Sequence, residues 1–95
     1  MAAYVVVHAT PTDPEAASRY AEASGASVAR HGGRFLARGG RTHVLEGDWH
    51  PERVVVMEFA DAAAARAWYE SADYAEARAL REGVGTWRMV VVEGV

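Results

Sequence analysis

The chain contains no cysteine. Disulfides, thiolate nucleophiles and cysteine-ligated metals are therefore excluded, and a reducing compartment fits. Long hydrophobic runs are missing too: no stretch reaches the roughly 20 apolar residues that span a bilayer. The opening segment Met1–Thr10 has no basic start, and its apolar run is too short for a signal peptide. These absences give the expectation of a soluble, cytoplasmic protein without a membrane partner. Positive charge is sparse. The 10 basic residues are scattered and the net charge is −3. No basic stripe is present, so nucleic acid is not an expected partner. Metal-binding and nucleophile motifs are lacking as well. His8, His31, His43 and His50 are far apart in sequence, without His-Xaa-His or His-Glu-Xaa-Xaa-His spacing. Gly32-Gly33 and Gly39-Gly40 have no phosphate-loop context and read as a cap and a turn. There is no Gly-Xaa-Ser-Xaa-Gly elbow. Neither a metal nor a resident cofactor is expected.

What remains is a folding composition. The chain has 95 residues, 51% of them apolar, which reads as one domain over 1–95 with a thin core. Tyr4 to Thr10 is a β-branched run stopped by Pro11 and predicts a first strand. Asp13-Pro14-Glu15 starts a helix: Asp13 caps free N–H groups, Pro14 has the right φ for the first turn, and Glu15 meets the positive end of the dipole. Ala17, Tyr20, Ala21, Ser24 and Val28 then share one helical face. Gly25 weakens this helix, and Gly32-Gly33 ends it in a left-handed cap. Arg34 to Arg38 predicts the second strand, with Thr42 to Glu46 continuing it as a ribbon beyond Gly39-Gly40. Residues 47–51 form a turn. Arg53 to Phe59 predicts the third strand, on the strength of Val54-Val55-Val56. Asp61 caps a second helix carrying Ala65, Trp68 and Tyr69. Asp73 caps a further short helical segment from Tyr74 to Glu82, ended by Gly83 and Gly85. Trp87 to Glu93 is the last strand.

The order βαββαβ packs as a ferredoxin-like α+β fold, with one four-stranded antiparallel sheet and the helices on one face. The opposite face should then alternate polar, but it does not. Val54 and Val56 have one parity and Val55, Met57 and Phe59 the other; Val90 and Val92 alternate with Met89 and Val91 in the same way. Both sides of the third and fourth strands are largely apolar. A second subunit covering the open face resolves this, giving a homodimer whose two sheets make a dimeric α+β barrel.

Several motifs also resemble a known family. Gly33-Arg34-Phe35-Leu36, Arg38-Gly39-Gly40, Leu45-Glu46-Gly47-Asp48-Trp49, Pro51 with Arg53, Glu58-Phe59, Ala67-Trp68-Tyr69-Glu70-Ser71, Tyr74, Arg81 and Val92-Glu93-Gly94-Val95 are together similar to the bacterial domain-of-unknown-function 1330 family. The resemblance runs from the first strand to the last residue. It implies membership of the dimeric α+β barrel superfamily, and so the fold and dimer that the strand pattern favours. That superfamily includes cofactor-independent monooxygenases of aromatic polyketides, muconolactone isomerase, dye-decolorising haem peroxidases and plain binding modules. The resemblance therefore implies no single reaction.

Candidate site residues follow from polar groups on apolar strands. His8 shares parity with Tyr4 and Val6, and can shuttle protons inside a barrel or simply be a hydrogen-bonded strand histidine. Glu58 alternates with Val54 and Val56, as a general acid or base or as half of a structural ion pair. Arg34 and Arg38 share parity with Leu36. With Arg53 they can grip a carboxylate or enolate, or pair with Glu46 or Glu58. Trp49 is a candidate anchor in a mouth or dimer contact, or a cover for a sheet edge. Tyr69 and Tyr74 can turn hydroxyls towards a pocket or pack as core. His8, Glu58 and Arg34 form the candidate catalytic set; Tyr4, Arg38, Arg53, Trp49, Tyr69 and Tyr74 are candidate binding residues. Three functions are consistent with this reading. The dimer can bind a small organic molecule in the barrel and move protons on it, as an isomerase or cofactor-free monooxygenase does. It can bind without catalysis, as an accessory protein. Or its polar barrel residues are structural and it serves as a self-associating subunit.

Overall fold

A computed structural model describes residues 1–95. Its elements are β1 (Ala3–Pro11), α1 (Pro14–Arg30), β2 (Arg34–Arg38), β3 (Arg53–Phe59), α2 (Ala62–Tyr69), α3 (Ala72–Ala79) and β4 (Gly85–Glu93). The four strands form one antiparallel sheet in the order β2-β3-β1-β4. This is the ferredoxin-like α+β fold, with the second helical region divided in two. No helix is long and apolar enough to cross a membrane.

Strand alternation decides which residues meet the helices. Ala3, Val5, Val7 and Ala9 of β1 and Val55, Met57 and Phe59 of β3 are buried. They form the core together with Val28, Ala65, Trp68, Tyr74 and Ala77. Tyr4, Val6 and His8 point the other way. So do Val54, Val56 and Glu58, and the two sets lie side by side in register: Tyr4 opposite Glu58, Val6 opposite Val56, His8 opposite Val54. Val90 and Val92 extend this open face across β4 and are 61% and 50% exposed.

The first helix starts as its sequence dictates. The Asp13 carboxylate accepts from the Glu15 and Ala16 amides at 3.0 and 3.3 Å. It stops at His31, beyond which Gly32 takes a φ of 75° that side-chain-bearing residues rarely adopt. Small residues let it approach the rest of the helical layer closely. Buried Ser27 accepts from the Trp68 indole at 3.0 Å and donates to the Ser24 carbonyl at 2.8 Å.

Three expectations need correction. Thr42 to Glu46 is not a strand; residues 40–50 are an exposed connection without ladder partners. The reason is local: Gly39, at a φ of 72°, ends β2, and nothing in this chain pairs with the segment beyond it. Asp73 does not cap the last helix. Ser71 does, its hydroxyl accepting from the Tyr74 amide at 3.3 Å, so the helix begins two residues earlier than expected and ends at Ala79. Asp73 instead ties this helix to α1, meeting His31 and Arg30, each at 3.1 Å. Finally, β2 is not regular. Phe35 pairs with Met57 but Ala37 with Val56, so Leu36 is a bulge. The bulge breaks the parity that Arg34, Leu36 and Arg38 share in sequence. Arg34 stays on the open face opposite Glu58, while Arg38 moves to the helix side opposite Val55.

Candidate functional site

Two places collect the candidate residues. The first is the open face of the sheet. Here Arg34 Nε donates to the Glu58 carboxylate at 2.6 Å. Tyr4 faces Glu58 across β1 and β3, but the acid's short contact goes to the arginine. His8 lies four residues further along β1 and packs against Trp49, with ring centroids 5.9 Å apart in an edge-to-face arrangement. The three residues of the candidate catalytic set are thus split, with Arg34 and Glu58 joined at one end of the face and His8 at the other. Trp49 itself is 58% exposed, so within one chain it covers His8 without being buried.

The second place is a cleft of about 360 Å³ between α1 and the helix-facing side of the sheet. Val7, Val55 and Met57 form its floor, and Ala17, Tyr20 and Ala21 its roof. Phe35 from β2 and Trp87 from β4 add aromatic walls. Its only charged lining groups are Arg38 and Arg53. The cleft exists because the α1 residues above it are small, whereas the buried stretch around Ser27 and Val28 packs tightly. The helical face read in sequence as core therefore has two parts, one sealed and one open. A pocket of a few hundred Å³ with apolar walls and few polar groups is the usual form of a small-molecule site.

Both arginines are seated by glycines. Gly25 lies under Arg38: a Cβ there would sit 3.2 Å from both terminal guanidinium nitrogens. An alanine there would crowd the Arg38 guanidinium and push it aside. Arg53 lies against Gly39 so closely that a side chain would collide with it. Arg38 also stacks on the Phe35 ring at 4.1 Å and donates to the Ala21 carbonyl.

A hydroxyl pair borders the cleft. Tyr20 and Tyr74 share a hydrogen bond of 2.7 Å between their oxygens, and Arg81 donates to the Tyr74 oxygen at 3.2 Å. The Arg81 guanidinium also lies over the Tyr20 and Trp87 rings, at 4.8 and 4.7 Å. Burial, reinforced by the neighbouring Tyr20, pushes the Tyr74 phenol above the usual tyrosine range. Tyr74 therefore stays protonated. Tyr69 has a different partner, accepting from Arg78 at 2.8 Å.

Of the residues picked out in sequence, Arg38 and Arg53 line the cleft. Tyr74 stands behind its wall, and Tyr4, His8, Arg34, Glu58 and Trp49 lie on the open face. Sequence reasoning missed Tyr20, Trp87 and Arg81 as site residues. A signal existed for the cleft: Tyr20 is flanked at helical spacing by Ala17, Ala21 and Ser24, which cannot fill the space beside it. No comparable signal marked the bulge at Leu36.

The fold recurs among solved structures. A protein of unknown function from Rhodopseudomonas palustris superposes with a TM-score of 0.78, at 21% identity over 99% of this chain and 82% of that one. A cofactor-independent oxygenase from Streptomyces nogalater gives 0.68 at 19% identity over 98% and 92%. A dimeric ferredoxin-like protein of unknown function from Jannaschia also gives 0.68, at 18% identity over 99% and 100%. At such identities the likeness shows the fold alone. No curated protein matches the chain. At the level of family the match is direct and spans residues 2–95: the chain belongs to the family described as Domain of unknown function (DUF1330).

Proposed function

We propose that this protein is a homodimeric α+β barrel that binds a small organic molecule in the cleft between α1 and the sheet. The cleft carries this reading. In it apolar walls, aromatic rings and a few oriented polar groups converge at a volume suited to such a molecule. The homodimer rests on the row Val6, Val56 and Val90, apolar across three strands on a face with no helix over it. In this arrangement the open face is the interface, and the Arg34–Glu58 pair and His8 serve assembly.

A second reading adds proton transfer on the bound molecule. One observation favours it: the chain Arg81–Tyr74–Tyr20 ends in the cleft wall. Either hydroxyl can donate in the Tyr20–Tyr74 bond; this reading takes the arrangement in which Tyr74 accepts from Arg81 and donates to Tyr20. The Tyr20 hydroxyl then has its own proton to offer, a role suited to a general acid.

A fragment screen followed by methyl-labelled NMR tests the binding reading. Hits should shift the Met57 methyl and the Trp87 indole, and Ala21→Phe, which fills the cleft from α1, should abolish those shifts. Hits that move only Val6 and Val56 would place binding on the open face and overturn the reading.

A further inference from the structure

We infer that the molecule taken by this cleft is an organic carboxylate with a flat apolar body, and that Arg38 and Arg53 grip its carboxylate. The inference rests on the cleft being the binding site and goes on to give its ligand a chemical class.

Arg38 pairs with Val55, and Arg53 precedes Val55 by two residues on β3. The two arginines are therefore diagonal neighbours on adjacent strands, both on the cleft side. Like charges so placed repel one another. Neither has an acid to relieve it. The ion pairs of the chain are Arg19–Glu15, Arg30–Asp73, His31–Asp73, Arg34–Glu58 and His50–Asp48. All of them leave Arg38 and Arg53 out. Arg34 on the same strand as Arg38 has its acid, Glu58, on the open face; what marks this site is that its two charged lining groups are both arginines and no acid lines the cleft with them.

The Arg38 guanidinium is also held in place. Gly25 leaves room beside it that a methyl group would crowd, and Gly39 leaves room for Arg53. Arg38 uses one N–H on the Ala21 carbonyl and one face on Phe35; the other donors of its fork remain for a ligand. A planar fork matches a carboxylate through two parallel hydrogen bonds. The ligand body follows from the walls. Tyr20, Phe35 and Trp87 offer ring surfaces and Met57 an adaptable floor. A bare phosphate would satisfy the arginines and leave these walls in contact with water. A neutral aromatic would fill the walls and leave two adjacent cations uncompensated.

Benzoate and benzamide, alike in shape and different in charge, test this on the full-length protein. The readouts are the Nε–H signals of Arg38 and Arg53 for the grip, and the Met57 methyl and Trp87 indole for the cleft. Benzoate should move both sets and bind at least tenfold more tightly than benzamide. Arg38→Gln and Arg53→Gln should each bring benzoate down to the level of benzamide. Gly25→Ala, which displaces Arg38 without removing it, should weaken benzoate selectively. Equal binding of the two probes at Met57 and Trp87 overturns the carboxylate class while the cleft stands as the site. Benzoate shifts at Met57 that leave the arginines unmoved overturn the grip. Inorganic phosphate competing on equal terms with benzoate overturns the apolar body. If neither organic probe moves Met57 or Trp87, the cleft reading fails together with this one.

Discussion

Arg34 and Glu58 face each other across β2 and β3 and close to 2.6 Å. The bond settles how an acid can sit between Val54 and Val56 on an apolar face: it carries its counter-charge with it. The arginine side chain is 72% exposed in the single chain, the glutamate 25%. Solvent screens such a pair, which holds its net worth to about 1 kcal/mol or less.

That screening holds for a lone chain. In the proposed dimer this face is covered, so Glu58→Gln strands Arg34 and should lower the thermal midpoint by an amount equivalent to about 1–3 kcal/mol. The charge-reversed double variant Arg34→Glu with Glu58→Arg should recover most of it. Thermal unfolding of the three proteins beside the parent checks this. A raised midpoint for Glu58→Gln would mean that the acid is held at a cost to stability, as a catalytic group is.

A second prediction concerns assembly. Val56 lies between Val6 and the bulged β2 on the open face. Light scattering after size exclusion should give twice the 10.3 kDa chain mass or a multiple of it. Val56→Asp should yield monomer or unfolded chain, because an unpaired charge in a covered apolar face is expensive. A parent protein that stays monomeric at micromolar concentration would refute the barrel.

Much of the fold was legible because its signals are local. Asp13-Pro14-Glu15 starts α1 by capping chemistry that operates within four residues, and Val54-Val55-Val56 makes β3 through its own backbone preference. The opposition of Tyr4 and Glu58 follows once β1 and β3 are adjacent and antiparallel. The candidate site was less legible because it depends on one residue of slippage. A parity argument assumes an unbroken pleat, and Leu36 breaks it, which sends Arg38 from the open face to the cleft. The Ser71 cap was hidden for a related reason. Ser71 and Asp73 are both good caps, and only the tertiary partners of Asp73, His31 and Arg30, decide between them.

Acid should loosen the contact between α1 and α3. The Ser71 hydroxyl, then the His31 ring, with Arg30 assisting, hold the Asp73 carboxyl well below the usual carboxylate range. The folded-state value is thus depressed relative to the unfolded chain. Its contribution to stability is fully present above about pH 4 and is lost as pH falls below that towards the folded value. Asp73→Asn should lower stability at neutral pH and flatten the acid limb of the curve. Urea unfolding between neutral and strongly acidic pH measures both effects. A parallel decline in parent and variant would show that other carboxylates govern the acid limb.

At the alkaline end the decisive group is Tyr74. It is fully buried, its oxygen lies 2.7 Å from that of Tyr20, and Arg81 reaches it at 3.2 Å. Burial raises its folded-state value above that of the unfolded chain. The sign is then opposite to that of Asp73: its contribution holds below about pH 10 and is lost as pH rises through that range. Of the four tyrosines, one should resist ionisation in an ultraviolet titration until the fold itself opens. Tyr74→Phe should remove that resistant step. It should also destabilise the protein by about 1–3 kcal/mol, because it leaves Tyr20 and Arg81 each without the oxygen they share. If all tyrosines of the folded protein titrate together, the Tyr20–Tyr74 contact is open to water. The hydroxyl chain to the cleft wall then fails, and with it the proton-transfer reading, while binding in the cleft is untouched.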